Sequence, residues 1–377
     1  MDFAFTSEQE MLRKAAQDFV KRRCPKSFVR AMEKDEKGFS PEMWREMAEL
    51  GWMGCCFPEE YGGIGGSFFD LTVLLEELGR GLLPSPFVPT VVHCGFPLLF
   101  AGTEDQKREF LPKIASGELI LTLAMTEGSG RYCASGITMG AASEKDGYVI
   151  RGSKLFVIDA HVADWLLCVG RSKEAKNRED GVSLFLVEAK SPGISRTPLK
   201  NMAWEKQFDV GFDGVRVPEK NLLGPPDQGW GIAKRMMEHA AVAQCSLMIG
   251  GAQQALEMSI NYAKERVQFD RPIGSFQAIQ HQCADMAMEV LISRNLTYQA
   301  AWKVSEGLPA AKEVAMAKAF VSEAYERILF LATKIHGAIG LTGEHDMSLY
   351  FRRGKGAQIA FGDSEFHKEQ VAQELGL

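Results

Sequence analysis

The chain has 377 residues, of which 46% are hydrophobic and 24% charged, and its formal net charge is -6 at pH 7. A chain of this length is too long for one small core and suits two or three packed units, and its composition is that of a soluble globular protein. The acidic balance argues against a nucleic-acid-binding protein, because such proteins carry a basic face. It leaves room for an anionic ligand that is held in a local basic pocket.

The N-terminal stretch MDFAFTSEQEMLRKAAQDF is amphipathic and lacks the basic region and apolar core of a secretory signal. No window of the sequence approaches the roughly 20 apolar residues that a membrane span needs. The eight cysteines are scattered and form no CxxC pair, which is typical of small buried side chains in a reducing compartment. We therefore expect a cytoplasmic protein without a metal site.

Residues 1–118 have the pattern of a helical domain. The segment Ser7–Glu10 (SEQE) has the form of a capping box, and apolar residues follow it at helical spacing. Ser40 and Pro41 suit the N-cap and the first position of a further helix, and Gly51 suits its end.

The period of the apolar residues changes from helical to alternating at about residue 119. Short β-rich runs such as GYVIRGSKLFVI and GVSLFLVEAK follow, and Asp146–Gly147 is a strong hairpin signal. Long helical patterns return after residue 225, with an apolar stripe over residues 279–290. These patterns predict three domains, at 1–118, 119–225 and 226–377, of which the middle one is built of strands.

Signatures of several common active sites do not occur in the sequence. No GxGxxG follows a strand, no P-loop is present, and neither GxSxG nor HExxH is found. His281 and His336 lie in helical stretches, where we expect hydrogen-bonded structural roles. The residues alone therefore predict a mostly helical protein in three parts and do not assign a function.

Several segments together resemble the acyl-CoA dehydrogenase family. They are RVQFDRPIGSFQ (266–277), PEEYGG (58–63), AMTEGSGR (124–131), GSKLFVIDAHVAD (152–164) and KIHGAIGLTGEHDMSLYFRRG (334–354). They follow the family's order along nearly the whole chain. The resemblance implies a mainly α fold with a central β domain: an N-terminal helical domain, a β-barrel-like middle domain and a C-terminal four-helix bundle. It also implies FAD at a subunit interface and an oligomer.

The resemblance implies a set of FAD contacts. Arg266 would meet the pyrophosphate of a neighbouring subunit's FAD, a contact that suits a guanidinium group. By itself, Arg266 would be interpreted as an exposed cation at a helix end. Phe269 would lie near the adenosine end of the cofactor. The complete set implied by the resemblance is Arg266, Gln268, Phe269, Phe276, Gln277, Lys334, His336, Gly337, Ala338, Thr126 and Phe156.

The chain departs from the family pattern where the family has its catalytic base. Many members carry a glutamate before the Gly-Thr of the C-terminal loop, and others carry it on the first long C-terminal helix. Phe361 and Ala240 stand at these positions, and neither side chain can accept a proton. The flavin side also differs, because Ile158 replaces a hydroxyl residue and the loop at 126–131 reads TEGSGR. We therefore predict no catalytic residue in this chain.

This pattern resembles the base-lacking subunit of a heteromeric acyl-CoA dehydrogenase, which completes the FAD site of a base-carrying homologous subunit. The implied reaction is α,β-dehydrogenation of an acyl-CoA thioester, with an electron-transfer flavoprotein as the implied acceptor. One alternative is a self-sufficient enzyme, a homo-oligomer, with Asp363, Glu365 or Glu238 as a relocated base. Another is a family relative with a different flavin or thioester reaction.

Overall fold

A computed structural model describes residues 5–377. Helices form the first part of the described chain. They are α1 (Ser7–Arg23), α2 (Lys26–Lys34), α3 (Pro41–Glu49), α4 (Phe68–Gly81), α5 (Phe96–Ala101) and α6 (Glu104–Ala115). A π-helical stretch at Val88–Gly95 leads directly into α5.

The predicted N-cap of α3 is present in the structure, and the predicted N-cap of α1 is shifted by one residue. The N-cap of α1 is Thr6 rather than Ser7, because the Thr6 hydroxyl accepts from the backbone N–H of Gln9 and the Gln9 side chain accepts from Thr6 N–H. Ser40 caps α3 as predicted, with its hydroxyl accepting from the backbone N–H of Met43.

The middle part of the chain forms an eight-stranded sheet. Its strands are β1 (Leu121–Ala124), β2 (Gly140–Glu144), β3 (Gly147–Ile158), β4 (Trp165–Arg171), β5 (Val182–Glu188), β6 (Ile194–Leu199), β7 (Gln207–Pro218) and β8 (Leu222–Leu223). The strand order is β6-β7-β3-β2-β4-β5-β8, and β1 pairs with β4 in parallel. The predicted hairpin joins β2 to β3, where Glu144 pairs with Gly147.

The described strands do not close into the barrel that the resemblance implied. β6 and β8 stand at opposite ends of an open path, and the two residues of β8 pair only with β5. Alternate residues of β4 and β5 pack on different cores. Leu167 and Leu184 face the helices, whereas Leu166 and Phe185 belong to a separate core on the other face of the sheet.

Helices return in the last part of the chain. They are α7 (Gly229–Glu265), α8 (Gln277–Ser305), α9 (Ala311–His336), α10 (Met347–Ile359) and α11 (Ser364–Glu374), with a short hairpin of β9 (Val267–Gln268) and β10 (Arg271–Pro272) between α7 and α8. α7, α8 and α9 pack against one another, and α11 packs on α9.

The N-terminal α4 packs tightly against α7. A Cβ atom at Gly250 would lie 1.8 Å from the backbone oxygen of Glu76, and one at Gly79 would lie 2.2 Å from that of Leu247. Glycine is therefore required at both positions for the two backbones to approach. The Glu76 carboxylate also accepts hydrogen bonds from Arg294 at 2.7 Å and Tyr298 at 2.8 Å, which ties α4 to α8.

Among the described helices, none is both long enough and apolar enough to cross a membrane. All eight cysteines are free thiols. Within residues 5–377, no group of three or more His, Cys, Asp or Glu side chains is placed to hold a metal ion.

Candidate active site

Two cavities meet beside Phe361. The sheet-side cavity, of about 700 Å³, is bounded by β1, β3, the loop at 126–133 and the end of α10. The helix-side cavity, of about 210 Å³, is bounded by α4, the π-helical stretch, α7 and α10. The residues that line both are His93, Ile158, Glu205, Gln207, Gly356, Ala360 and Phe361.

The turn that carries Phe361 is held in a defined conformation. Phe361 has a φ of 57° and Gly362 a φ of 99°, both in the left-handed region. The buried Lys318 ammonium group donates hydrogen bonds of 2.9 Å to the carbonyl oxygens of Gln358 and Gly362. His367 Nε2 lies 2.9 Å from the carbonyl oxygen of Phe361. The side chain at position 361 is therefore directed by its backbone toward the junction of the cavities.

The ring of Phe361 packs against other rings at this junction. Its centroid lies 4.7 Å from that of His93 and 6.1 Å from that of Tyr132. The Phe361 side chain contains no oxygen or nitrogen, so it cannot accept a proton. The position at which the resemblance implied a glutamate base is thus filled by an apolar ring.

Asp363 and Glu365, two of the residues predicted as substitute bases, already form other interactions. Asp363 caps α11, because its carboxylate accepts from the backbone N–H of Phe366 at 2.8 Å. Glu365 forms an ion pair with Lys368 at 2.9 Å. Asp363 lines the sheet-side cavity, whereas Glu365 lines neither of the two.

The second base position lies within α7. Ala240 is buried there, with 1% of its surface exposed. Glu238, two residues earlier, lines neither cavity. Burial raises the pKa of Glu238, and neighbouring Lys234 and Arg235 oppose this shift. Neither residue presents a carboxylate to the junction at Phe361.

Thr126 and Phe156 lie on the wall of the sheet-side cavity. The backbone N–H of Leu155 donates to the Thr126 carbonyl oxygen at 2.8 Å, which joins the loop to β3. Phe156 has a φ of 58° and 54% of its surface exposed. Phe156 therefore places an exposed aromatic face on the wall of the sheet-side cavity.

A buried ion pair holds the loop behind this wall. Lys154 Nζ lies 2.6 Å from the Glu127 carboxylate and donates to the Met125 carbonyl oxygen at 3.0 Å. The Glu127 carboxylate also accepts from the backbone N–H groups of Thr138 and Met139. Burial opposes ionisation of Glu127, but Lys154 and these donors lower its pKa overall. Glu127 therefore anchors the loop and is not a free base.

The other predicted FAD contacts lie in a different place. Arg266, Gln268 and Phe269 belong to the end of α7 and the β9–β10 hairpin, and Phe276 and Gln277 begin α8. Phe276 is half-buried and the other four are exposed, with 85% of the surface of Phe269 exposed. The rings of Phe269 and Phe276 lie 6.0 Å apart. None of these residues lines the sheet-side cavity.

The turn at the end of α9 adjoins this hairpin. The His336 ring stacks on that of Tyr262, with centroids 4.7 Å apart, and Tyr262 lies one helical turn before Arg266. His336 is buried, and its Nδ1 lies 2.8 Å from the Ala332 carbonyl oxygen. The His336 side chain therefore supports the turn, while Lys334, Gly337 and Ala338 are exposed beside it.

Sequence reasoning missed several polar residues that line the cavities. They are His93, Tyr132, Asp159, Glu205 and Arg353. His93 lies in the apolar run VVHCGF, which gives no signal of a site. Asp159, Glu205 and Arg353 come from separate segments that only the fold brings together.

The pKa values at the junction are set mainly by burial. Burial lowers the pKa of His93 to about 3, so its imidazole is neutral. Burial raises the pKa of Asp159 to about 7; the nearby Glu205 adds to the shift, and Lys206 and Arg353 oppose it. Burial also raises the pKa of Glu205, against the effect of Arg353 and of a hydrogen bond from Gln207.

Models of the N-terminal, middle and C-terminal domains of acyl-CoA dehydrogenases match residues 6–118, 122–215 and 227–376. The chain belongs to the acyl-CoA dehydrogenase family. It is 35% identical over the full length of both chains to the probable acyl-CoA dehydrogenase YngJ of Bacillus subtilis.

Solved structures agree with this assignment. Butyryl-CoA dehydrogenase from Megasphaera elsdenii superimposes with a TM-score of 0.93 at 30% identity, with all of both chains covered. The ChsE4–ChsE5 complex from Mycobacterium tuberculosis superimposes with a TM-score of 0.91 at 28% identity, covering 100% of this chain and 99% of that chain.

The chain is accordingly a FAD-dependent oxidoreductase of this family. The sheet-side cavity fits part of such a cofactor, because Phe156 offers an exposed aromatic face to a planar ring and Arg131 on the same lining offers a cation. Bound FAD would supply a hydride acceptor, and the chain's part is to hold it and to exclude water.

Proposed function

We propose that this chain acts in the α,β-dehydrogenation of an acyl-CoA thioester as the base-lacking subunit of a heteromeric enzyme. Its β9–β10 hairpin and the turn at 334–338 complete the FAD site of a homologous subunit that carries the glutamate. The observation that carries the proposal is the phenylalanine ring at position 361, where a proton acceptor is needed.

The reaction needs a base because the proton on the carbon next to the thioester must leave as hydride leaves the neighbouring carbon. A base within contact distance of that proton is typically worth about 100- to 10,000-fold in rate. Phe361 and Ala240 cannot supply it, and Asp363 and Glu365 are held in a helix cap and a surface ion pair. In our proposal the partner's glutamate takes the proton.

The exposed hairpin supports the second half of the proposal. Arg266 and Phe269 are exposed and lie outside the lining of the sheet-side cavity, so they are free to contact a cofactor that a neighbouring subunit holds. A guanidinium group suits a pyrophosphate through charge-assisted hydrogen bonds. The ChsE4–ChsE5 complex, a structural neighbour at 28% identity, is itself described as a complex of two different chains.

The decisive experiment compares the chain alone with the chain co-expressed with a homologous subunit that has glutamate at the position of Phe361. We expect the purified chain alone to show little visible flavin absorbance and no dehydrogenation of acyl-CoA. We expect the co-purified complex to hold fewer than one FAD per chain and to be active. Replacing the partner's glutamate by glutamine should abolish that activity.

Vigorous dehydrogenation by the isolated chain, with one FAD per chain, would contradict the proposal. If Asp363→Asn or Glu365→Gln then abolished that activity, the chain would be a self-sufficient enzyme with a relocated base. These assays should contain electron-transfer flavoprotein as the electron acceptor. A parallel assay with an artificial dye as acceptor shows whether a lack of activity is caused by the choice of acceptor.

A further inference from the structure

One side of the helix-side cavity carries polar side chains instead of the apolar surface that an alkyl chain prefers. We call Asp159, Glu205, Arg353 and His93 the polar wall. All four line this cavity. Leu78, Leu82 and Phe87 are among the apolar residues that line the rest of it.

The members of the polar wall lie close together in the fold. The backbone N–H of Asp159 donates to the carbonyl oxygen of Lys206 at 2.8 Å, next to Glu205. A Cβ atom at Gly356 would lie 3.8 Å from Glu205 Oε2, and Gly356 is about one helical turn after Arg353 on α10. His93 adjoins this group through the junction at Phe361.

The hydrogen-bonding capacity of the polar wall is only partly used, and Glu205 accepts one hydrogen bond, from Gln207 at 3.1 Å. Among the described residues, no ion pair within 4.0 Å joins Asp159, Glu205 or Arg353 to an opposite charge. Arg353 donates one hydrogen bond to the Leu82 carbonyl oxygen at 2.8 Å, while its Nε is buried without a partner. His93 is 4% exposed, and its Nε2 is also buried without a partner.

Polar groups removed from water without partners lower stability, which is why proteins rarely retain them without a use. A saturated alkyl chain in this cavity would remove the remaining water and leave Arg353 Nε and His93 Nε2 without partners. A ligand oxygen, in contrast, would give these groups the hydrogen bonds that they lack. The polar wall therefore favours a ligand that is polar at this point.

The charges of the polar wall decide the kind of polar group. A carboxylate on the ligand would be repelled by Asp159 and Glu205, and an ammonium group on the ligand would be repelled by Arg353. A neutral oxygen can accept from Arg353 and from a protonated carboxyl group, and a hydroxyl can also donate to a carboxylate or to the neutral imidazole of His93. A hydroxyl group thus has a complementary partner in every member of the wall, and a keto oxygen has one in Arg353 and in a protonated carboxyl group.

We propose that the helix-side cavity binds the acyl part of a CoA thioester that carries a hydroxyl or keto oxygen, with that oxygen hydrogen-bonded to the polar wall. This inference rests on the proposed function only in taking an acyl-CoA thioester as the ligand. It does not require that this chain turns the ligand over.

The test measures binding without turnover, by isothermal titration calorimetry on the purified chain and on its complex with the base-carrying subunit. The probes are octanoyl-CoA, a set of hydroxyoctanoyl-CoA and keto-octanoyl-CoA isomers, the CoA monothioester of octanedioic acid, and aminooctanoyl-CoA. We expect at least one hydroxyl or keto isomer to bind about tenfold or more tightly than octanoyl-CoA, because a buried polar group left unpaired is costly. The carboxylate and ammonium probes should bind more weakly than that isomer.

Variants identify the groups responsible. Glu205→Leu and Arg353→Met should bring the affinity for that hydroxyl or keto isomer close to the affinity for octanoyl-CoA. Glu205→Gln keeps hydrogen-bonding atoms and should still bind the isomer more tightly. Glu219→Leu, at an exposed acid outside the cavity, is the matched control and should keep the full ratio. Near-ultraviolet circular dichroism confirms that each variant is folded.

Tightest binding by octanoyl-CoA would overturn the inference, as would tightest binding by the carboxylate or ammonium probe. A preference that survives both Glu205→Leu and Arg353→Met would also overturn it. If the two-chain complex assembles and is active but no hydroxyl or keto isomer binds more tightly than octanoyl-CoA, the inference fails and the proposed function stands. If the hydroxyl or keto isomer binds as expected but the two chains do not assemble, the inference stands and the proposed function fails.

Discussion

Acid should destabilise this protein steeply because burial strongly lowers the pKa values of three of its buried histidines. His93, His239 and His367 each have less than a tenth of their surface exposed. Burial is the main cause that lowers their pKa values, to about 3 for His93 and about 4 for the other two. In the unfolded chain each imidazole titrates near 6.5.

The sign follows from proton binding. Between the folded and unfolded pKa values, the unfolded chain binds more protons than the native one, so the free energy of unfolding falls as pH falls. The stabilisation is complete above pH 6.5 and is lost progressively below it. At pH 5 each histidine lies about 1.5 units below its unfolded pKa, which corresponds to about 2 kcal/mol per residue and about 6 kcal/mol for the three.

Urea unfolding at pH 8.0, 6.5 and 5.0 and one fixed protein concentration measures this loss. His93→Leu should remove about 2 kcal/mol of the difference between pH 8.0 and 5.0, whatever its effect on stability at pH 8.0. The control is His281→Leu, because His281 is exposed on α8 and should leave the difference unchanged. An unchanged pH dependence in His93→Leu would refute the assignment of a neutral, buried imidazole beside Phe361.

Three further predictions concern the assembly, the helix contact and the loop anchor. Arg266→Ala should weaken FAD retention by the assembled oligomer by about 1.5–3 kcal/mol without changing urea unfolding of the chain, and unchanged flavin absorbance after dialysis would remove its role. Gly250→Ala should lower the free energy of unfolding by about 3 kcal/mol or more. Gly231→Ala, where no atom lies within 4 Å of the added Cβ, should raise the free energy of unfolding by about 0.5–1 kcal/mol. Equal effects of the two substitutions would contradict the close approach of α4 and α7. Lys154→Met should lower the free energy of unfolding by about 3–5 kcal/mol because Glu127 loses its buried partner, and a small loss would show that the backbone donors suffice.

The features that sequence reasoning could predict are those encoded in short segments. The Ser40 cap of α3 and the hairpin between β2 and β3 each depend on a few neighbouring residues, and each is present in the structure. The central β domain was predicted as barrel-like, and its sheet is open because the edge strands β6 and β8 do not pair; closure of this kind is not encoded in any local pattern.

The polar wall could not be predicted for a different reason. Asp159 follows β3, Glu205 lies before β7, and Arg353 lies on α10, so their proximity is a product of tertiary packing. The unsatisfied nitrogen of His93 is likewise a property of its surroundings, since the same residue in another environment would bind water. Sequence patterns identify elements, whereas the chemistry of a cavity depends on which elements meet.

The last prediction concerns restoring the missing base. Phe361→Glu places a carboxyl group at the junction of the two cavities, where burial already raises the pKa values of Asp159 and Glu205. The new carboxyl group should therefore also stay protonated at neutral pH, because burial disfavours its charged form.

Exchange of the α-protons of octanoyl-CoA in deuterated water, followed by nuclear magnetic resonance, tests this without requiring a hydride acceptor. We expect no exchange above background for the natural chain or for Phe361→Gln. Phe361→Glu should promote exchange only as pH rises above neutrality, since a protonated carboxyl group cannot act as a base. Rapid, pH-independent exchange at pH 6 by Phe361→Glu would show that the junction already favours an ionised carboxylate, in which case loss of the glutamate alone would explain the missing base chemistry. Exchange by the natural chain itself would place a working base elsewhere in the cavities and would contradict the proposal that this chain is a base-lacking subunit.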